Sequence, residues 1–109
     1  MKLKEFYDKI KNLNLPGDVI VPFRKLQTQI KSIGQFGFVA DVTISFIEDH
    51  TPMSVKDFIK IMGDAMTYAG RTSKYVDIEL YYGDDETIYN LVDIYFDDKN
   101  LYLIIGDEK

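Results

Sequence analysis

The chain has 109 residues, a formal net charge of −5 and no cysteine. That length suits one domain, here 1–109, and an apolar content of 46% is enough to bury a core, which excludes a disordered chain. The missing thiols exclude a disulfide framework, a thiolate metal site and a cysteine nucleophile together. The start, MKLKEFYDKI, lacks the apolar run of a secretory leader, and no run approaches the ~20 residues of a membrane helix. A soluble cytoplasmic protein without membrane contact is expected.

In chain order, Leu3, Phe6, Ile10 and Leu13 recur at helical spacing and predict a helix over 2–13, ended by Asn14, Pro16 and Gly17. DVIVPF (18–23) reads as a strand, and Pro22 places it at a sheet edge or stops it. Residues 23–40 suit a helix through Leu26, Ile30 and Ile33, or a strand through the alternation of Leu26, Thr28, Ile30 and Ser32. Gly34 and Gly37 weigh towards the strand. VTISFIE (42–48) alternates clearly.

Ser54 is a good N-cap for the next helix, with Asp57 three residues on. Val55, Phe58, Met62, Met66 and Ala69 make its apolar stripe; it ends at Gly70, or at Gly63 if that glycine breaks it. Three strands follow, at 75–82, 87–96 and 101–106. They are joined by the turns GDDE (83–86) and DDKN (97–100), so they form an antiparallel meander. The expected inward sets are Val76, Ile78, Leu80 and Tyr82; Ile88, Val92, Ile94 and Phe96; and Leu101, Leu103 and Ile105.

LKEFYDKI (3–10) and VKDFIKIM (55–62) match at an offset of 52, and QIKSIGQFGF lies on TIYNLVDIYF at an offset of 58, setting Ile30 on Ile88. Helix–strand–strand–strand thus occurs twice, in pseudo-repeats 1–52 and 53–109, through either duplication or convergent patterning. The expected fold is α+β: two helices packed on an antiparallel sheet of about six strands, built from two similar helix–β–β–β halves.

VKDFIKIM…YVDIELYYGDDETIYNLVDIYFDDKNLYLIIGDE resembles small, mostly uncharacterised phage and prophage proteins with a helix and a β-meander. The resemblance covers about half the chain well and the first half loosely. It implies a mobile-element origin and an intracellular, non-enzymatic role, such as action on a host factor. It lends no catalytic residues.

Catalytic signatures are sparse. His50, beside Glu48 and Asp49, is the single histidine, and a metal site usually needs three or four converging ligands. Asp84, Asp85, Glu86, Asp97 and Asp98 fit turn chemistry better than a spaced calcium loop. No glycine-rich phosphate loop or G-x-S-x-G elbow occurs. No cofactor, metal or catalytic residue is expected; a small enzyme using His50 is the least favoured class.

Tyrosine carries the functional expectation: seven of the eight tyrosines lie in the second half. Alternation sets Asp77, Glu79, Tyr81, Tyr89, Asp93, Tyr95 and Tyr102 on one sheet face, opposite the core. Tyrosine is enriched at protein interfaces because it buries area yet keeps a polar end. Residues 1–52 hold seven Lys/Arg against six Asp/Glu, and 53–109 hold six against twelve, so nucleic acid is not expected as a partner of the acidic half. A protein partner is expected, possibly a basic one. The alternative is a homo-oligomer, such as a homodimer, joined through the Pro22 and LYLIIG sheet edges.

Overall fold

The computed structural model describes residues 1–24, 26–36 and 41–109. The elements run α1 (Leu3–Ile10), β1 (Asp18–Phe23), β2 (Leu26–Phe36), β3 (Asp41–Ile47), β4 (Met53–Ser54), α2 (Val55–Ala69), a single 3₁₀ turn (Gly70–Thr72), β5 (Ile78–Tyr82), β6 (Thr87–Phe96) and β7 (Leu101–Glu108). Residues 26–36 are strand, and the part of the 23–40 expectation at 25 and 37–40 lies outside the described residues. The strand expected over 75–82 begins only at Ile78.

Short turns make antiparallel pairs, and β1–β2–β3 and β5–β6–β7 are two such meanders. A long connection through a helix can return a strand parallel to its neighbour, and here it does. β3 pairs with β5 in parallel, Ile44 opposite Leu80, and β7 pairs with β1 in parallel, Leu101 opposite Val19. The order β1–β2–β3–β5–β6–β7 therefore closes on itself as a six-stranded mixed barrel. This corrects the expected antiparallel sheet with two helices laid on it. β1 and β7 are joined at Val19–Leu101 and Ile20–Tyr102, so neither is an edge strand of an open sheet, and β1 stops at Phe23, one residue after Pro22.

The expected pair of similar helix–sheet halves is also replaced. Each helix start is anchored to the segment that leads into the other half's first strand. The Leu3 N–H donates to the Val76 carbonyl at 2.7 Å, and the Val55 N–H donates to the Gly17 carbonyl at 3.0 Å. The Ile78 N–H donates to the Met1 carbonyl at 2.9 Å, while β4 pairs Met53 with Val19. Neither half owns a complete helix–sheet core.

The helices are amphipathic for the reasons the spacing gives. Leu3, Phe6 and Ile10 of α1 and Val55, Phe58 and Met62 of α2 are fully buried. They join Val19, Val21, Ile30, Val42, Ile44, Phe46, Ile78, Leu80, Leu91, Leu101 and Leu103 of the barrel interior in one cluster. Each such large side chain stabilises the fold by roughly 2 kcal/mol. Phe6 meets Phe58 edge to face, centroids 5.9 Å apart at 83°, which adds about 1 kcal/mol. Ser54 caps α2, its hydroxyl accepting from the Asp57 N–H at 3.1 Å. Gly63 does not end α2: a Cβ there would lie 3.0 Å from the Tyr7 hydroxyl, so its absence lets the helices approach. α1 stops at Ile10 rather than 13.

The inward face of β6 departs from strict alternation. Its register shifts between Tyr89 and Leu91 and again between Leu91 and Asp93. The first shift adds a residue to β7 and the second adds one to β6, so the faces of β6 reverse once, between Leu91 and Asp93. Leu91 and Tyr89 turn in, while Ile88 and Val92, expected in the core, turn out; Phe96 keeps the side of its buried partner Leu101 but is 48% exposed at the end of the strand. Leu91, not Ile88, thus takes the position that Ile30 occupies on β2: Ile30 pairs with Phe46 and Leu91 with Ile105.

The β7–β1 seam leaves no room beside Gly17. Its N–H donates to the Lys99 carbonyl at 2.8 Å, and the Asp18 N–H donates to Asn100 Oδ1 at 2.9 Å. A Cβ on residue 17 would fall 2.2 Å from Asn100 Oδ1 and 2.4 Å from the Lys99 carbonyl oxygen. Gly17→Ala must push the seam apart. It should cost about 2 kcal/mol or more in urea unfolding, whereas Gly70→Ala, with nothing near its added Cβ, should lose less despite its positive φ.

Candidate protein-binding face

In a closed barrel every strand has one inner and one outer face, so the outer faces are the places where a partner can sit. Two outer regions and one end of the barrel gather the chemistry-bearing side chains.

The first region is the β6–β7 hairpin. Val92, Tyr95 and Phe96 are 53%, 59% and 48% exposed, and Ile88, nearer the start of β6, is 36% exposed. Tyr95 pairs with Tyr102 across the hairpin, ring centroids 5.6 Å apart. The Tyr102 hydroxyl donates to Asp97 Oδ2 at 3.3 Å. Asp97 also accepts the N–H groups of Asn100 at 2.6 Å and Lys99 at 2.8 Å, which hold its carboxyl below the ordinary aspartate value. That side chain shapes the turn and fixes the tyrosine pair beside it. Asp98 at one end of the hairpin and Asp107 and Glu108 at the other are exposed. Asp93 is exposed on β6, 3.8 Å from Lys9 of α1.

The second region lies over β3, β5 and β6. Thr43, Ser45, Glu79, Tyr81 and Ile88 line an open groove of about 290 Å³. Glu79 is bonded by the Lys109 ammonium, whose pKa is raised by that contact. Burial, and then the Glu79 charge, push the neighbouring Asp41 carboxyl up.

The structure separates residues expected on one face. Tyr81 pairs with Ile88 near the start of β6, and Tyr95 lies seven residues further along, roughly 20 Å away at strand rise. Tyr81 and Glu79 therefore belong to the groove, and Tyr95 and Tyr102 to the hairpin face. Tyr89 points into the barrel against Phe23, centroids 5.4 Å apart. Asp77 lies outside the strands, held 2.8 Å from Lys2 and kept below its ordinary pKa by that hydrogen bond. The residues missed are Val92 and Phe96. Their only sequence signal was hydrophobicity, which read as core; Val92 lies at the bulge and Phe96 at the exposed end of β6.

The third place is the end of the barrel where Phe23, Phe46, Tyr82 and Tyr89 pack, Phe23 touching the other three rings. The Tyr82 hydroxyl donates to Glu48 Oε1, and Arg24 reaches Asp85 at 3.7 Å across the neighbouring turns. The hydrogen bond to Glu48, then burial, then Asp84 raise the Tyr82 pKa well above its ordinary value. Tyr82 is thus a fixed donor, not a phenolate. His50 is exposed, its Nδ1 2.9 Å from the Thr51 carbonyl oxygen. Among the described residues no group of three His, Asp or Glu side chains has the geometry to hold a metal ion. No helix is long and apolar enough to cross a membrane.

Neither protein-family models, nor curated proteins, nor solved structures yield a match to this chain.

The Tyr82–Glu48 bond, between a buried phenol and an exposed carboxylate, sets a pH dependence. The folded state favours the neutral phenol, so this contribution is fully present below the unfolded value of 10.0 and is lost as pH rises above it. Tyr82→Phe should cost about 1–2 kcal/mol at neutral pH. In thermal melts stepped through alkaline pH, the wild type should lose that advantage above pH 10.0 while Tyr82→Phe declines less. Parallel alkaline declines would show that the bond does not hold the phenol neutral.

Proposed function

We propose that this protein is a non-catalytic protein-binding module whose contact surface is the outer face of the β6–β7 hairpin. One observation carries the proposal: Val92 and Tyr95 stand about half exposed on one strand, the Tyr95 ring packed on Tyr102, and Phe96 is half exposed where the strand enters the turn. Contiguous exposed apolar and aromatic side chains with a polar rim are the signature of an interaction surface. Stiff aromatic side chains lose little entropy on contact and bury large area.

The rim argues for a basic partner. Asp93 and Asp98 flank the face, and Lys99 is the exposed cation of its turn. Acidic rims raise the encounter rate with basic surfaces and disfavour acidic ones. The resemblance to phage proteins supports a host factor as that partner. Assembly through sheet edges has no support in a closed barrel; self-association would have to use the face.

Tyr95→Ser with Phe96→Ser should leave the barrel folded, since both side chains lie outside the core. Immobilised wild type should retain a basic protein from host lysate, release it with rising salt, and lose it in the double variant. A folded double variant that retains the same partners would overturn the assignment. So would a wild type whose only capture is its own copy, which would make the face a homodimer contact.

A further inference from the structure

We infer that a second surface, separate from the β6–β7 face, binds a phosphate-bearing ligand with an aromatic base: Lys4, Arg71 and Lys74 take the phosphates and the Tyr75 ring stacks on the base. The site forms only when the chain folds. α1 comes from the near-neutral first half and the segment 70–75 from the acidic second half. Backbone hydrogen bonds dock one on the other: the Lys4 N–H donates to the Ser73 carbonyl at 3.1 Å and the Leu3 N–H to the Val76 carbonyl at 2.7 Å. The 3₁₀ turn is held further by the Thr72 hydroxyl, which donates to the Ala69 carbonyl at 2.7 Å.

Two open grooves meet there. Lys4, Gly70, Arg71, Ser73, Lys74 and Tyr75 line one of about 470 Å³. Lys2, Lys4, Lys9 and Lys74, with Glu5 and Asp8, line the other, of about 530 Å³. Lys4 and Lys74 belong to both, so the track is continuous and five cations face it against two carboxylates in its walls. Among the described residues neither Arg71 nor Lys74 has a carboxylate within ion-pair distance. Lys2, Lys4 and Lys9 have carboxylates nearby, but these are exposed pairs worth little and readily exchanged for phosphate.

Tyr75 is 69% exposed, and the Lys74 ammonium sits 5.2 Å from its ring centroid. An exposed ring among cations is the arrangement that stacks bases while neutralising their backbone. The net charge of −5 does not forbid this, because at physiological salt charges are screened beyond about 8 Å and the local patch decides. The ligand chemistry has two sources, a single-stranded nucleic acid or a free nucleotide.

The test is fluorescence anisotropy of an end-labelled single-stranded oligouridylate, with unlabelled oligomer, ATP and inorganic phosphate as competitors. Circular dichroism checks that each variant is folded. Arg71→Glu with Lys74→Glu should weaken binding at least roughly tenfold and flatten its salt dependence. Tyr75→Ala, which keeps every charge, should weaken it at least about fivefold. Displacement by ATP as effective as by oligomer identifies the free nucleotide, and displacement by oligomer alone identifies the strand; both support the site. No binding of either, unchanged affinity in the folded variants, or full displacement by inorganic phosphate with Tyr75→Ala unaffected would overturn it. Serine substitutions at Tyr95 and Phe96 should leave this binding unchanged, so failure here and failure at the hairpin face are read separately.

Discussion

Closure of the barrel rests on two parallel seams, and the tighter of them is a backbone contact. Gly17 donates to the Lys99 carbonyl while Asn100 receives the Asp18 N–H, in a space that admits no side chain at residue 17. Asn100 is held in turn by Asp97, which accepts its N–H and that of Lys99. One turn thus links three features: the β7–β1 seam, the shape of the β6–β7 hairpin, and the Tyr102 ring beside Tyr95. An open sheet with these strands would expose two edges and part of its present core.

Closure also determines where function can reside. The interior is filled by aliphatic and aromatic side chains. Its polar members are satisfied, as where the Thr28 hydroxyl donates to the Val21 carbonyl. A barrel of this size encloses a packed core rather than a ligand cavity. The partners proposed above must therefore approach from outside. The outer surface is uneven in a way the chain order hides. The β6–β7 face is apolar with an acidic rim, and the seam between α1 and residues 70–75 gathers cations from both halves.

Much of the local structure was legible. The Ser54 cap, both helix stripes, the two acidic turns and the alternation of β3 and β5 follow from spacing that involves residues a few positions apart. The candidate faces were legible only in part. Tyr95 and Tyr102 do share a surface, because a tight turn sets their register. Tyr81 is carried away by strand length, and Tyr89 is turned inward by a bulge. Val92 and Phe96 looked like core because hydrophobicity alone records neither a bulge nor the exposure of a strand's last residue.

The sequence by itself determined most of the helical and strand segments, though not all of their ends, and that one apolar core must form. These depend on side-chain periodicity, capping and turn chemistry, all of which act between near neighbours in the chain. Only the tertiary structure decided that the meanders join in parallel, that the sheet closes, that each helix docks on the other half, and which of the β6 side chains meet water. Those outcomes depend on hydrogen bonds between residues tens of positions apart, such as Leu3 with Val76 and Gly17 with Lys99. No local pattern encodes a partner at that distance.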